Sequence, residues 1–176
     1  MKKNIITLTT LLFLQCINND ITTYKDETIE VKFTNKYKKS KTKCPLEDCL
    51  EYYSHETIPS EAMIIDTGPI NENINLWLQN SMQFIKNEKE IITNEVVDEN
   101  EDCQKAIITF KSDFLSDKAE RVGLQLSSIS LIKTKNTSRG LYWRHILTKN
   151  IENLPLLQKG LEESMKITLL NTLCKK

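Results

Sequence analysis

Glycine and proline are scarce, at four each in 176 residues, and histidine is rarer still, at two. So few glycines and prolines exclude glycine-rich phosphate cradles, collagen repeats and Pro-rich linkers. Neither sign of charge dominates, since 24 Lys and Arg face 24 Asp and Glu. A nucleic-acid binder needs a basic excess on at least one face, so no nucleic-acid partner is expected. Aromatic residues make up 7% of the chain and hydrophobic ones 39%. The apolar residues nevertheless fall in patterned segments, enough for one core in a chain whose length suits a single domain.

The first such segment is at the N-terminus. Met1-Lys2-Lys3-Asn4 precedes an apolar run over 5–14. A positive start followed by about ten apolar residues is the anatomy of a secretory signal, and the run is too short to span a bilayer. The plain alternative is a buried N-terminal strand or helix. No small residues for an ordinary signal-peptidase cut stand between Leu11 and Cys16. The cysteine closing Leu12-Phe13-Leu14-Gln15-Cys16 resembles the signal of bacterial lipoproteins. That resemblance implies lipidation at Cys16 and a membrane tether through its acyl chains. The rival is cleavage near Cys16 or Asn18 that releases a soluble protein. The expected organisation is a signal peptide over 1–15, a tether over 16–27 and one domain over 28–176. Loss of 1–15 removes Lys2 and Lys3 and no acid, so the mature chain is slightly acidic.

Five cysteines are an odd count for an exported protein. Assigning Cys16 to a lipid leaves Cys44, Cys49, Cys103 and Cys174 for two disulfides, with three connectivities open. Cys44 and Cys49 bracket a short proline-bearing loop that could close locally. Equally, each could reach a distant partner, one of them stapling Cys174. A zinc ribbon needs two close cysteine pairs, and only one is present, so no metal or other cofactor is expected.

Along the rest of the chain, Ile29, Val31 and Phe33 alternate with polar residues as in a half-buried strand. Lys32, Lys36, Lys38, Lys39, Lys41 and Lys43 follow with no acid among them. They suit an anionic partner or, more plainly, a solvated edge loop whose lysines discourage strand addition. A tyrosine-bearing strand over 50–58 ends at Pro59, and 62–65 extends it or pairs with it. After Gly68-Pro69, the residues Ile70, Ile74, Trp77, Leu78 and Ile85 fall at helical spacing, with Trp77 as a core anchor. The carboxylates over 95–102 lack the layout of a calcium loop and read as a solvated loop. Strands are expected around Ala106–Phe110 and Val122–Leu126, with a bulge or bend where apolar parity switches past Ser127-Ser128. Asn136-Thr137-Ser138 is a glycosylation sequon if the host is eukaryotic. Asn153 caps a second helix, with Pro155 in its first turn and Leu157, Leu161, Met165 and Leu169 on one face. This order predicts an α+β domain, an antiparallel sheet with two main helices packed on one face.

No catalytic constellation emerges. His55 lies in Ser54-His55-Glu56 and His145 in Arg144-His145-Ile146, without a nucleophile motif. His55 and Glu56 would point to opposite sides of a strand, which disfavours a shared metal. A hydrolase built on either histidine is the weaker reading. Tyr142, Trp143 and Arg144 are the residues singled out for binding, because aromatics and arginine dominate hot spots.

The strand, the Cys44…Cys49 segment, the tyrosine-bearing strand and Ile70-Asn71-Glu72-Asn73-Ile74-Asn75, with a later Ile129-Ser130-Leu131, resemble the exported domain family of the RsiV anti-sigma factor and the PdaC deacetylase. The resemblance covers about residues 28–170. It implies an α+β fold and, from one member that binds lysozyme, a binding role; no functional residues carry over. The expected function is therefore a non-catalytic, lipid-anchored envelope protein that binds a protein or cell-wall component. The alternative is a secreted eukaryotic or viral protein glycosylated at Asn136.

Overall fold

A computed structural model describes residues 21–33, 37–86, 89–115, 118, 120–148 and 154–175. The leader over 1–15, Cys16, Lys36 and the expected cap Asn153 lie outside the described residues. The described elements are β1 (Thr23–Lys25), β2 (Ile29–Lys32), β3 (Tyr37–Lys39), β4 (Cys49–His55), β5 (Ser60–Asp66), α1 (Ile74–Lys86), β6 (Glu90–Asn100), β7 (Cys103–Leu115), β8 (Arg121–Thr134), β9 (Ser138–Thr148), α2 (Leu154–Leu170) and β10 (Leu173–Cys174).

Seven strands form one antiparallel sheet in the order β3-β4-β5-β9-β8-β7-β6, and β1-β2-β10 form a small one. This is the expected α+β class with helices packed against an antiparallel sheet. The helices, however, take opposite faces of the large sheet rather than a single one. Strand alternation explains it. On β7, Ala106, Ile108 and Phe110 meet Ile74, Leu78 and Ile85 of α1. Ile107, of the other parity, joins Leu161, Met165 and Leu169 of α2 with Ile29 and Val31 of the small sheet.

The same two-sided burial accounts for the parity switch in β8. No bulge or bend occurs there, since Ser127 and Ser128 pair with both neighbouring strands in unbroken register. Leu126 belongs to the α2-side core and Leu131 to the α1-side core. Each face of the strand meets its own core, with Leu126 and Ile132 on one side and Ile129 and Leu131 on the other.

Three further expectations are corrected. The acidic run is mostly strand β6, with only Glu101 and Asp102 in a turn. Its carboxylates are matched locally: Glu95 with Lys166 at 2.7 Å, Asp98 with Lys105 at 3.4 Å, and Glu99 accepting from Asn75 at 2.8 Å. The helix starts at Ile74 rather than Ile70, because the Asn73 side chain accepts the Leu76 N–H at 2.7 Å and caps it there. Residues 23–25, expected within a tether over 16–27, instead form β1, whose Tyr24 is buried and which pairs with β2.

The disulfides are Cys44–Cys49 and Cys103–Cys174. Arg139 adds a polar tie between the two sheets, donating from Nε to Asp26 at 2.8 Å and from Nη1 to Asp66 at 2.9 Å. Burial works to raise the Asp26 pKa, but the Ile29 N–H, Arg139, the Thr28 N–H and Tyr24 together hold it below the ordinary value. Among the described residues, no helix is long and apolar enough to cross a membrane.

Candidate functional site

Helix α1 packs over β6 and β7 and leaves part of its face of the sheet open over β9 and β5. Opposite α1 stands the loop closed by Cys44–Cys49, which presents Pro45 and Leu46. Between these walls lies a groove of about 490 Å³, with Trp77 on the helix side and Met63, Ile65, Ile129 and Tyr142 along its floor. Pairing sets the floor. Tyr52, Met63, Tyr142 and Ile129 are successive cross-strand partners on β4, β5, β9 and β8, so their side chains share one face. A neighbouring row places Ser54, Glu61, Arg144 and Ser127 side by side.

The polar end of this face is closed on itself. Arg144 donates to Glu61 Oε2 from Nε at 2.9 Å and also from Nη2. The Tyr52 hydroxyl donates to the other Glu61 oxygen at 2.6 Å. Burial, and then the Glu61 carboxylate, push the Tyr52 phenol up to about 12. The hydroxyls of Tyr142 and Ser127 meet at 3.3 Å.

Of the three residues singled out for binding, Tyr142 and Arg144 line this groove and Trp143 does not. Trp143 is 1% exposed and belongs to the α2-side core. Three consecutive strand residues cannot share a face, and the middle one turns inward. Trp77 packs against the α1-side core as expected but is only half-buried, which leaves it to form a groove wall. Sequence reading missed Leu46, Glu61, Met63 and Ile65. Their alternation at 61, 63 and 65 was the available signal, but which face it belonged to depends on the pairing with β9.

The histidines are apart from the groove lining. His145 is 2% exposed, and neither ring nitrogen has a hydrogen-bond partner. It borders a cavity of about 50 Å³ shared with Ile58, Pro59, Leu157 and Leu161. Burial, with a smaller push from His55, lowers its pKa to about 4. The His55 Nδ1 accepts the Thr57 and Ile58 N–H groups at 3.2 and 3.3 Å. Among the described residues, no group of three or more His, Cys, Asp or Glu could hold a metal ion. A second cleft, of about 610 Å³, lies beside Cys103–Cys174. Of its charges, Lys105 pairs with Asp98 and Lys135 with Asp102, while Lys175 donates to the Asp26 carbonyl.

No family model matches the sequence, and no curated protein does. The resemblance to the RsiV and PdaC domains therefore stands on the quoted residues alone. Solved structures do share the fold. The chain is similar to the Ran-binding protein Mog1p of Saccharomyces cerevisiae, at 9% identity and a TM-score of 0.57, over 88% of this chain and 96% of that one. It is also similar to LpqN, involved in cell envelope biogenesis of Mycobacterium tuberculosis, at 6% identity and a TM-score of 0.52, over 91% of this chain and 88% of that one. At such identities the likeness is one of fold. The chain thus has an α+β fold shared with a Ran-binding protein and a protein involved in cell envelope biogenesis, and its two disulfides suit an oxidising compartment.

Proposed function

We propose that this chain is an exported, lipid-anchored protein of a bacterial envelope that binds a protein or cell-wall component without catalysis. The half-open sheet face carries the reading. It gathers Trp77, Met63, Tyr142 and Arg144, residue types enriched at protein interfaces. It also has one wall tied by the Cys44–Cys49 disulfide, so that binding need order little of that loop. Export and anchoring are supported by the apolar run ending at Cys16 and by the disulfides. The fold shared with LpqN agrees with an envelope setting, and the fold shared with Mog1p agrees with a protein partner.

Intact-mass measurement of the native protein tests the address. A chain that begins at Cys16 and carries diacylglyceryl is expected. A chain that keeps Met1 with an unmodified Cys16 overturns it, and a glycan on the exposed Asn136 instead favours the secreted alternative. The face is tested by substituting Tyr142 and Arg144 with Ala and repeating affinity capture from the intact envelope. Loss of the captured partner, with the melting temperature maintained, is expected. Undiminished capture removes the face from the reading.

A further inference from the structure

Strands β5 and β9 are interior strands of the seven-stranded sheet, each hydrogen-bonded on both sides. The floor they form therefore offers no free edge to a partner's backbone, and recognition by strand addition is not available there. Charge is equally committed. Arg144 is the one charged residue among the groove's described lining residues. Two of its nitrogens already donate to Glu61, whose second oxygen accepts the Tyr52 hydroxyl. An anionic ligand would have to compete with Glu61 for this guanidinium, and a cationic one would meet Arg144 with no carboxylate in the lining. The rest of the lining is uncharged, with the Thr67 and Ser81 hydroxyls set among a larger apolar group that includes Leu46, Ile65, Trp77 and Ile129.

The geometry points to an occupant made of uncharged apolar side chains, inserted as anchors from a protein partner between α1 and the disulfide loop. This rests on the binding face proposed above and adds the chemistry of what fills it. The one charge in the lining is already paired with Glu61, which matches an uncharged occupant. A protein is favoured over a free alkyl chain because the groove lies open between its two walls. Small-molecule sites instead enclose most of their ligand.

A random octapeptide library displayed on phage, panned against the disulfide-intact protein, supplies the probe. Affinities are then read from fluorescence, with Trp77→Phe identifying the groove signal against the buried Trp143. Enriched peptides are expected to carry bulky uncharged residues and to bind with less than about a twofold change between low and high salt. Leu46→Asp should weaken them by about tenfold or more, without lowering the melting temperature, since Leu46 is 44% exposed. Absence of enrichment, selection of charged peptides whose affinity rises as salt falls, or indifference to both Leu46→Asp and Ile65→Asn would overturn the proposal. If the natural partner is lost with the Tyr142 and Arg144 substitutions but kept with Leu46→Asp, the binding face stands and the apolar occupant falls.

Discussion

A neutral imidazole has one donor and one acceptor, and His145 satisfies neither inside the α2-side core. Its folded pKa of about 4 lies below the ordinary 6.5, so the unfolded chain takes up the proton first as pH falls. His145 thus leaves stability unaffected by its titration above about pH 6.5 and destabilises the fold progressively as pH falls from 6.5 to 4, by about 3 kcal/mol in all. Asp26 acts in a separate window, losing its contribution only as pH falls below its ordinary 3.8. Replacing His145 by Phe should flatten denaturation free energy between pH 6.5 and 4. It should also raise stability at pH 7 by roughly 1 kcal/mol, because the unpaired nitrogens go and the adjoining cavity has room for the ring. Urea melts across that range check this, and an unchanged slope in the variant refutes it. Such a residue was not legible in the sequence. Arg144-His145-Ile146 reads equally as a surface or a core position until the strand partners are known, and the same ambiguity misplaced Trp143.

At the level of elements, end signals proved more local than periodicity. The apolar spacing from Ile70 is helical in sequence, yet the helix begins where Asn73 can accept an amide hydrogen, four residues later. Asn73→Ala should therefore cost about 1 kcal/mol, read as a lower melting midpoint. Asn73→Ser should restore most of it, whereas equal losses in both variants would mean the cap is not what matters. Both helices and strands β2, β4, β7 and β8 were legible because their apolar residues recur at 3.6 or 2. The extent of β6 was not, because its carboxylates resemble a solvated loop until Lys105, Asn75 and Lys166 arrive from other elements. β8 misled for a related reason: helices cover both faces of its sheet, so one strand carries two apolar parities.

For the whole molecule, the two disulfides differ in what they enclose. Cys44–Cys49 spans 5 residues and Cys103–Cys174 spans 71. In the chain-entropy model these constrain the unfolded chain by about 2 and about 4 kcal/mol respectively. Serine at both Cys103 and Cys174 should accordingly lower the denaturation free energy roughly twice as much as serine at both Cys44 and Cys49. Guanidinium unfolding of the two double variants decides it, and an inverted order would contradict the entropic account. The fold class and the pool of four bridging cysteines could be read from spacing and count. Their pairing and the groove could not, since both depend on contacts between segments far apart in sequence.

The small sheet places β2 between a strand from residues 23–25 and one from 173–174. One flank of β2 thus lacks its mate until nearly everything between them has been synthesised. Such distant pairing slows closure. A nascent polypeptide that has already passed Lys32 can pair β2 with β1, yet that layer stays incomplete until Leu173 and Cys174 arrive.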